Sequence, residues 1–289
     1  MWIVFACGSA LFAGITAVLA KEGIRTTDST VATALRTVVV LAGAWGMVFV
    51  VGSQAELAHL DARSTGLLVL SGLATGASWL CYFKALQLGS VSKVVPIDKL
   101  STVLTVLLAL IFLGERVSLI GALGVVLIAV GTLLMLDADD LRGLPRAVRD
   151  GGGWLLYALG SAFFAALTAI LGKAGITGVE SNLGTAIRTG VVLVMAWVMV
   201  AVTGKLHEVR AVPRGELGFV LASGAATCAS WLCYYRALQD GPASVVVPID
   251  KLSVLVTVFF SAFVLREAVS RRYLAGLALL VGGTLAMVL

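Results

Sequence analysis

Val94-Val95-Pro96-Ile97-Asp98-Lys99-Leu100-Ser101 occurs a second time, unchanged, as Val246-Val247-Pro248-Ile249-Asp250-Lys251-Leu252-Ser253. The two copies lie 152 residues apart, and the same offset aligns the rest of both halves without a gap. Ala77-Ser78-Trp79-Leu80-Cys81-Tyr82 returns as Ala229 through Tyr234, and Lys21, Arg36 and Glu115 fall on Lys173, Arg188 and Glu267. Close to half of the aligned positions are identical, far above chance, so the chain is a duplicated and fused unit.

Each copy sits in a chain too apolar for a water-facing surface. Of the 289 residues 60% are apolar and only 13% charged, where a soluble domain carries about 25% charged residues. The apolar residues come in continuous runs of about 20, the length of a membrane-crossing helix, and not in the period-2 alternation of a barrel strand. Five runs fall in each half, at 2–20, 31–51, 66–87, 91–113 and 117–136, then at 154–172, 183–203, 217–238, 244–265 and 269–289. In lipid every backbone group must be satisfied within its own segment, which a helix achieves. The expectation is an all-α integral membrane protein of ten transmembrane helices, arranged as two inverted five-helix repeats. Residues 1–137 form the first repeat, 138–152 a polar linker, and 153–289 the second. Inversion follows from counting: five crossings leave the second copy starting from the opposite face. Secondary transporters use such pairs to expose a central site to alternate sides. The first run lacks a basic leader and recurs in the second half, so it reads as a span and not as a signal peptide.

Charges inside the runs are few and repeated, and each costs roughly 2.5–3.5 kcal/mol on insertion scales unless paired or wetted. Arg36 stands about 8 Å into the second run, and Asp98 and Lys99 about 10–12 Å into the fourth. Both runs start from one face; Arg188, Asp250 and Lys251 reach matching depths from the other. One reading makes Arg36–Asp98 and its counterpart buried ion pairs that tie helices together. The other turns these groups toward a solute cavity or a proton path. Pro96 and Pro248, two residues before each aspartate, invite a kink or a broken turn.

The third run of each half adds a stripe on one helical face: Ser71, Thr75, Ser78 and Tyr82, repeated as Ser223, Thr227, Ser230 and Tyr234. Trp79 and Trp231 flank it. Hydroxyl stripes also serve plain helix packing. Together these positions predict one central site lined by Trp79, Tyr82, Trp231 and Tyr234. The cluster Arg36, Asp98, Lys99 brackets it toward one face and Arg188, Asp250, Lys251 toward the other. The expected partner is a small polar organic solute, and because cations outnumber acids in the spans, one bearing a carboxylate or phosphate.

Other functions find less support. His59 and His207 do not align under the offset, no HExxH or GxSxG occurs, and Cys7, Cys81, Cys228 and Cys233 sit in apolar runs as small packing residues. No enzyme, metal site or cofactor is expected. The net charge of +5 lies in loops and reflects topology, not nucleic-acid binding. A multidrug exporter of lipophilic cations wants an acid without a basic neighbour, whereas Asp98 and Asp250 each precede a lysine. A flippase for lipid-linked groups stays an alternative, since a lateral groove leaves no mark in sequence. The fifth and tenth runs hold glycines and aliphatics without interior charge, which suits peripheral helices facing membrane lipid or, in a homodimer, a second subunit.

Gly114-Glu115, followed by a run with Gly121, Gly124 and Gly131, resembles the C-terminal part of an EamA domain. Glu267, Gly276 and Gly283 repeat the pattern, with Arg266 in place of the glycine before the glutamate. Two such domains cover the chain, which resembles the ten-helix members of the drug/metabolite transporter superfamily. The resemblance implies a carrier of small organic solutes in the cell membrane, inner or plasma, with the last helix of each half peripheral and both termini cytoplasmic. The charges point the other way on topology. Lys and Arg concentrate on the face reached after the first run, among them Arg25, Arg142, Arg146, Arg149, Arg210 and Arg214. By the positive-inside rule that face is cytoplasmic and both termini lie outside.

Overall fold

The computed structural model describes residues 1–88, 94, 97, 98, 100–135, 153–263 and 270–289. Every regular element among them is helical. The first half holds α1 (Trp2–Gly23), α2 (Ser29–Val51), α3 (Ala62–Leu88), α4 (Ser101–Phe112) and α5 (Leu119–Leu134). The second holds α6 (Gly153–Gly175), α7 (Ser181–Val202), α8 (Arg214–Asp240), α9 (Ala243–Lys251), α10 (Ser253–Phe263) and α11 (Arg271–Val288). Short 3-10 helices at Ser53–His59 and Lys205–Ala211 follow α2 and α7 at equivalent positions.

The repeat extends to the residues that start the helices. Asp28 accepts from the N–H groups of Thr30 and Val31 at the head of α2, and its counterpart Glu180 accepts from Asn182 and Leu183 at the head of α7. Ser118 and Ser270 do the same for α5 and α11. Each satisfies a donor that the helix itself leaves free.

Eight segments are long and apolar enough to cross a membrane, with Ala243–Phe260 counted as one; α4 and α5, at 12 and 16 residues, are shorter apolar helices. The fourth run of the second half is not one continuous helix. α9 stops at Lys251, Leu252 donates its N–H to the Ile249 carbonyl at 2.9 Å in a tightened turn, and α10 begins at Ser253. Pro248 has no N–H to offer the Ser244 carbonyl, which weakens the helix, and the break comes one turn later. Leu100 makes the equivalent bond to Ile97, at 3.1 Å, directly before α4. Pro96 lies outside the described residues.

Helices of one half pack antiparallel on helices of the other, and two of these pairs, α2 with α7 and α5 with α11, are equivalent under the repeat. Along α2 and α7, Val31 and Ala34 cluster with Ala196 and Val200, and Ala44 and Val48 with Val179 and Leu183. α1 runs along α8, with Trp2 against Gly241 at one end and Gly23 against Val220 at the other; α3 runs likewise along α6. α5 and α11 pack chiefly on each other, with Gly124 opposite Gly283 and Gly131 opposite Gly276. A Cβ on any of these four would stand 2.5–2.6 Å from the partner's carbonyl oxygen. Close backbone approach of this kind binds helices where lipid supplies no hydrophobic drive.

Small residues and hydroxyls fill the interior, such as Ala6, Ser9, Ala10 and Gly14 of α1. Phe49, Val50, Ile111, Phe112, Leu119 and Val202 stand exposed outside. A belt of large apolar side chains around a small-residue interior is a lipid-facing surface, and the chain is a multi-pass membrane protein. The face carrying Met1 also carries the ends of α6 and α8 and the starts of α7 and α9, and is called the Met1 face below.

Candidate solute-binding site

A cavity of about 240 Å³ opens between α1, α3, α6, α7, α8 and α9, so both halves build it. The hydroxyl stripes supply Thr75 and Ser78 from α3 and Ser230 from α8, to which α1 adds Ser9 and α6 adds Thr168. Trp79, Trp231, Tyr234 and Tyr235 form aromatic walls, and Arg188, Asp250 and Lys251 bring charge.

Arg188 lies one-third of the way along α7 and is 3% exposed. Its Nε donates to Ser71 Oγ at 3.1 Å and its Nη2 to Thr75 Oγ1 at 2.6 Å. Both hydroxyls pass their own protons onward, Ser71 to the Thr168 carbonyl and Thr75 to the Ser71 carbonyl, so their oxygens are free to accept. The guanidinium carbon stands 4.9 Å from the Trp231 ring centroid and 5.0 Å from that of Tyr235. Cation–π attraction from two rings helps hold a charge away from water. Nη1, buried in the same wall, has no hydrogen-bond partner. A guanidinium with one edge satisfied and one left over is a donor set waiting for an acceptor.

Asp250 sits in the last turn of α9, immediately before the break. Ser9 Oγ donates to it at 2.5 Å, and Ser230 Oγ donates to the Ser9 carbonyl at 3.0 Å. The other half repeats the arrangement: Ser161 Oγ donates to Asp98 at 2.6 Å, and Ser78 Oγ to the Ser161 carbonyl at 3.0 Å. Each aspartate is thus held by the first helix of the opposite half.

The ion-pair reading fails on this geometry. No salt bridge joins Arg36 to Asp98 or Arg188 to Asp250 among the described residues. Similar depth brought arginine and aspartate to one level, but their side chains turn to different neighbours. Six of the ten positions singled out by sequence meet at the cavity: Trp79, Arg188, Trp231, Tyr234, Asp250 and Lys251. Tyr82 instead packs with Ala85, Ile97 and Leu155, and Arg36 and Asp98 do not line the space. Lys99 lies outside the described residues. Sequence reasoning missed Ser9 and Tyr235. Ser9 carried a signal, since Gly8-Ser9-Ala10 recurs as Gly160-Ser161-Ala162. Tyr235 carried the opposite one: its counterpart is Phe83, a departure from the repeat.

Comparison with known proteins agrees with this architecture. The model of the EamA-like transporter family matches residues 1–137 and again 152–289. An uncharacterized transporter in the cobO 3′ region of Sinorhizobium sp. is 46% identical over 134 residues, which is 46% of this chain and 95% of that protein. It is therefore similar to one half of the present chain over nearly its own full length. A protein of known crystal structure, 19% identical, superposes with a TM-score of 0.73 over 99% of this chain and 95% of its own. That likeness extends to the fold. With the family model matched twice over a duplicated, lipid-facing helical bundle, the chain belongs to the EamA-like transporter family of the drug/metabolite transporter superfamily.

Proposed function

We propose that the chain is a ten-span secondary transporter that carries a small polar organic anion, with a carboxylate or phosphate group, across the cell membrane. Units 1–137 and 153–289, joined by the linker 138–152, expose one central site to each face in turn. The observation that carries this reading is Arg188, buried in the cavity wall with Nη1 unsatisfied. An acceptor oxygen of the solute completes its hydrogen bonds, and a charge-assisted bond is about twice as strong as a neutral one. Lys251 reinforces the preference, leaving Arg188 and Lys251 against the single carboxylate of Asp250 in the wall. A cavity of about 240 Å³ suits a metabolite, being below the ~300–1,000 Å³ usual for drug-sized ligands.

The solute body lies between Trp79 and Trp231, next to Tyr234. In the opposite state Arg36, Tyr82, Asp98 and Lys99 take the parts that Arg188, Tyr234, Asp250 and Lys251 have here. The repeated serine–aspartate bonds support that exchange, because the two halves already hold their carboxylates alike. Flux into proteoliposomes tests the proposal, using carboxylates, phosphate esters, neutral analogues and a lipophilic cation, with and without a proton gradient. Saturable flux competed by anions is expected. No flux of any anion, or competition by the cation alone, overturns it.

A further inference from the structure

Glu115 belongs to the motif by which the sequence resembles its family, yet it is remote from the cavity lining. It follows α4, whose end is closed by bonds from the N–H groups of Leu113 and Glu115 to the Ala109 carbonyl, at 3.0 and 3.3 Å. Gly114 between them adopts φ +64°, a left-handed conformation that glycine takes without a Cβ penalty. The turn aims Glu115 away from its own helix and across to the second half. There its two carboxylate oxygens accept from the N–H groups of Ala243 and Ser244, at 2.7 and 2.8 Å. These are the first residues of α9, the short helix that ends in Asp250 and Lys251.

The surroundings are tied as well. Lys173, at the end of α6, donates to the carbonyls of Leu238, Gln239 and Gly241 where α8 ends. Gln239 Nε2 donates to the carbonyls of Ile176 and Val179 in the connection from α6 to α7. These bonds all lie within the second half. The bonds of Glu115 cross from the first half to the second, and they hold a helix whose far end is the cavity wall.

On the Met1 side of the cavity Ala6, Leu68, Ile176, Leu238, Ala243 and Val246 form one fully buried cluster. We infer that Glu115 is the latch that keeps the cavity shut toward that face, by holding the N-terminus of α9 against the end of α4. The inference rests on the alternating-access reading above and adds to it a positioning residue outside the solute's reach. Releasing the two bonds frees α9 to swing from its hinge at Leu252, which moves the wall that carries Asp250 and Lys251. The charge of Glu115 contributes directly, since a carboxylate at a helix N-terminus meets the positive end of the helix dipole.

The test uses the full-length chain with its four native cysteines replaced and a single reporter, Ala13→Cys, in the cavity wall. Its labelling by a membrane-impermeant thiol reagent is timed separately from each face of oriented vesicles. Glu115→Gln keeps the shape and one acceptor while removing the charge; Glu115→Ala removes the latch. Labelling from the Met1 face should rise by about tenfold in the glutamine variant and further in the alanine variant, the order expected when charge-assisted bonds are lost. Amide exchange at Ala243 and Ser244 should accelerate in parallel. Faster exchange with unchanged sidedness of labelling makes Glu115 a helix cap and overturns the latch. A reporter in the unsubstituted chain that never changes its accessible face, with or without anionic solute, overturns the alternating-access reading instead.

Discussion

Arg188→Met separates a solute-binding arginine from a structural one. The change loses two charge-assisted hydrogen bonds, to Ser71 and Thr75, each about 1.5–3 kcal/mol. It also loses ring contacts with Trp231 and Tyr235, each about 0.5–2 kcal/mol. Against these stands the relief of a buried charge whose Nη1 has no partner, several kcal/mol in real proteins. Methionine fills similar volume, and neither hydroxyl loses the acceptor of its own proton. The terms nearly cancel, and the solute-free variant should unfold within about 2 kcal/mol of the parent protein. Solute binding has no such compensation. Losing one charged contact of about 1.5–3 kcal/mol weakens affinity about 10- to 150-fold. Thermal unfolding in detergent and solute titration read the two quantities on one sample. A variant that is strongly destabilised but binds solute as tightly as the parent refutes the reasoning, because Arg188 is then a tie between α7 and α3.

Other perturbations follow from the same geometry. Gly131→Ala places a Cβ 2.6 Å from the Gly276 carbonyl, so α5 and α11 must part and thermal stability should fall by about 1–3 kcal/mol; Gly46→Ala, with open space around it, serves as the control. Ser9→Ala strips Asp250 of its hydroxyl donor and Ser161→Ala does the same to Asp98; a full cycle uses both carboxylates, so each change should impair flux, and a parental rate in either variant would count against a cavity role for its aspartate. Partial burial pushes the Asp28 carboxyl up, but hydrogen bonds from Lys205, at 2.5 Å, and from Thr30 and Val31 bring it below its ordinary 3.8. Its contribution to stability is therefore complete above that value and lost as pH falls through the lower folded one, so an acid melt should steepen in the parent relative to Asp28→Asn. Pro145→Cys, as sole cysteine in intact cells, should resist an impermeant reagent if the basic face is cytoplasmic; ready labelling would place both termini inside.

What could be read from sequence divides along a physical line. Hydropathy and the offset of 152 residues report properties of one segment or of matched segments, and the helices and their duplication follow from them. The hydroxyl stripe of α3 was legible for the same reason, since Ser71, Thr75 and Ser78 share a face by spacing alone. Its partner was not, because periodicity gives the direction of a face and not the helix across from it. Arg188, from the other half, is what Ser71 and Thr75 hold. Pairing Arg36 with Asp98 failed similarly: depth is one coordinate, and the rotation of each helix about its axis is another that hydropathy does not carry. Tyr235 escaped because attention to repeated positions hides a position where the copies differ. The break at Leu252 was signalled by Pro248 but falls four residues later, where the tightened bond from Leu252 to Ile249 ends the helix.

The glycine crossing of α5 and α11 has an evolutionary corollary. Gly124 meets Gly283 while Gly131 meets Gly276, and the offset converts one contact into the other. A surface that meets its own copy in this manner is isologous, as in a two-fold dimer. In an unfused pair each inherited change strikes both ends of the assembly together. Joined in one gene, the copies can drift apart, and they have done so at Tyr235 against Phe83 and at Gly114 against Arg266. Selection can then act on the two membrane faces of this chain independently, while the shared crossing keeps the halves in register.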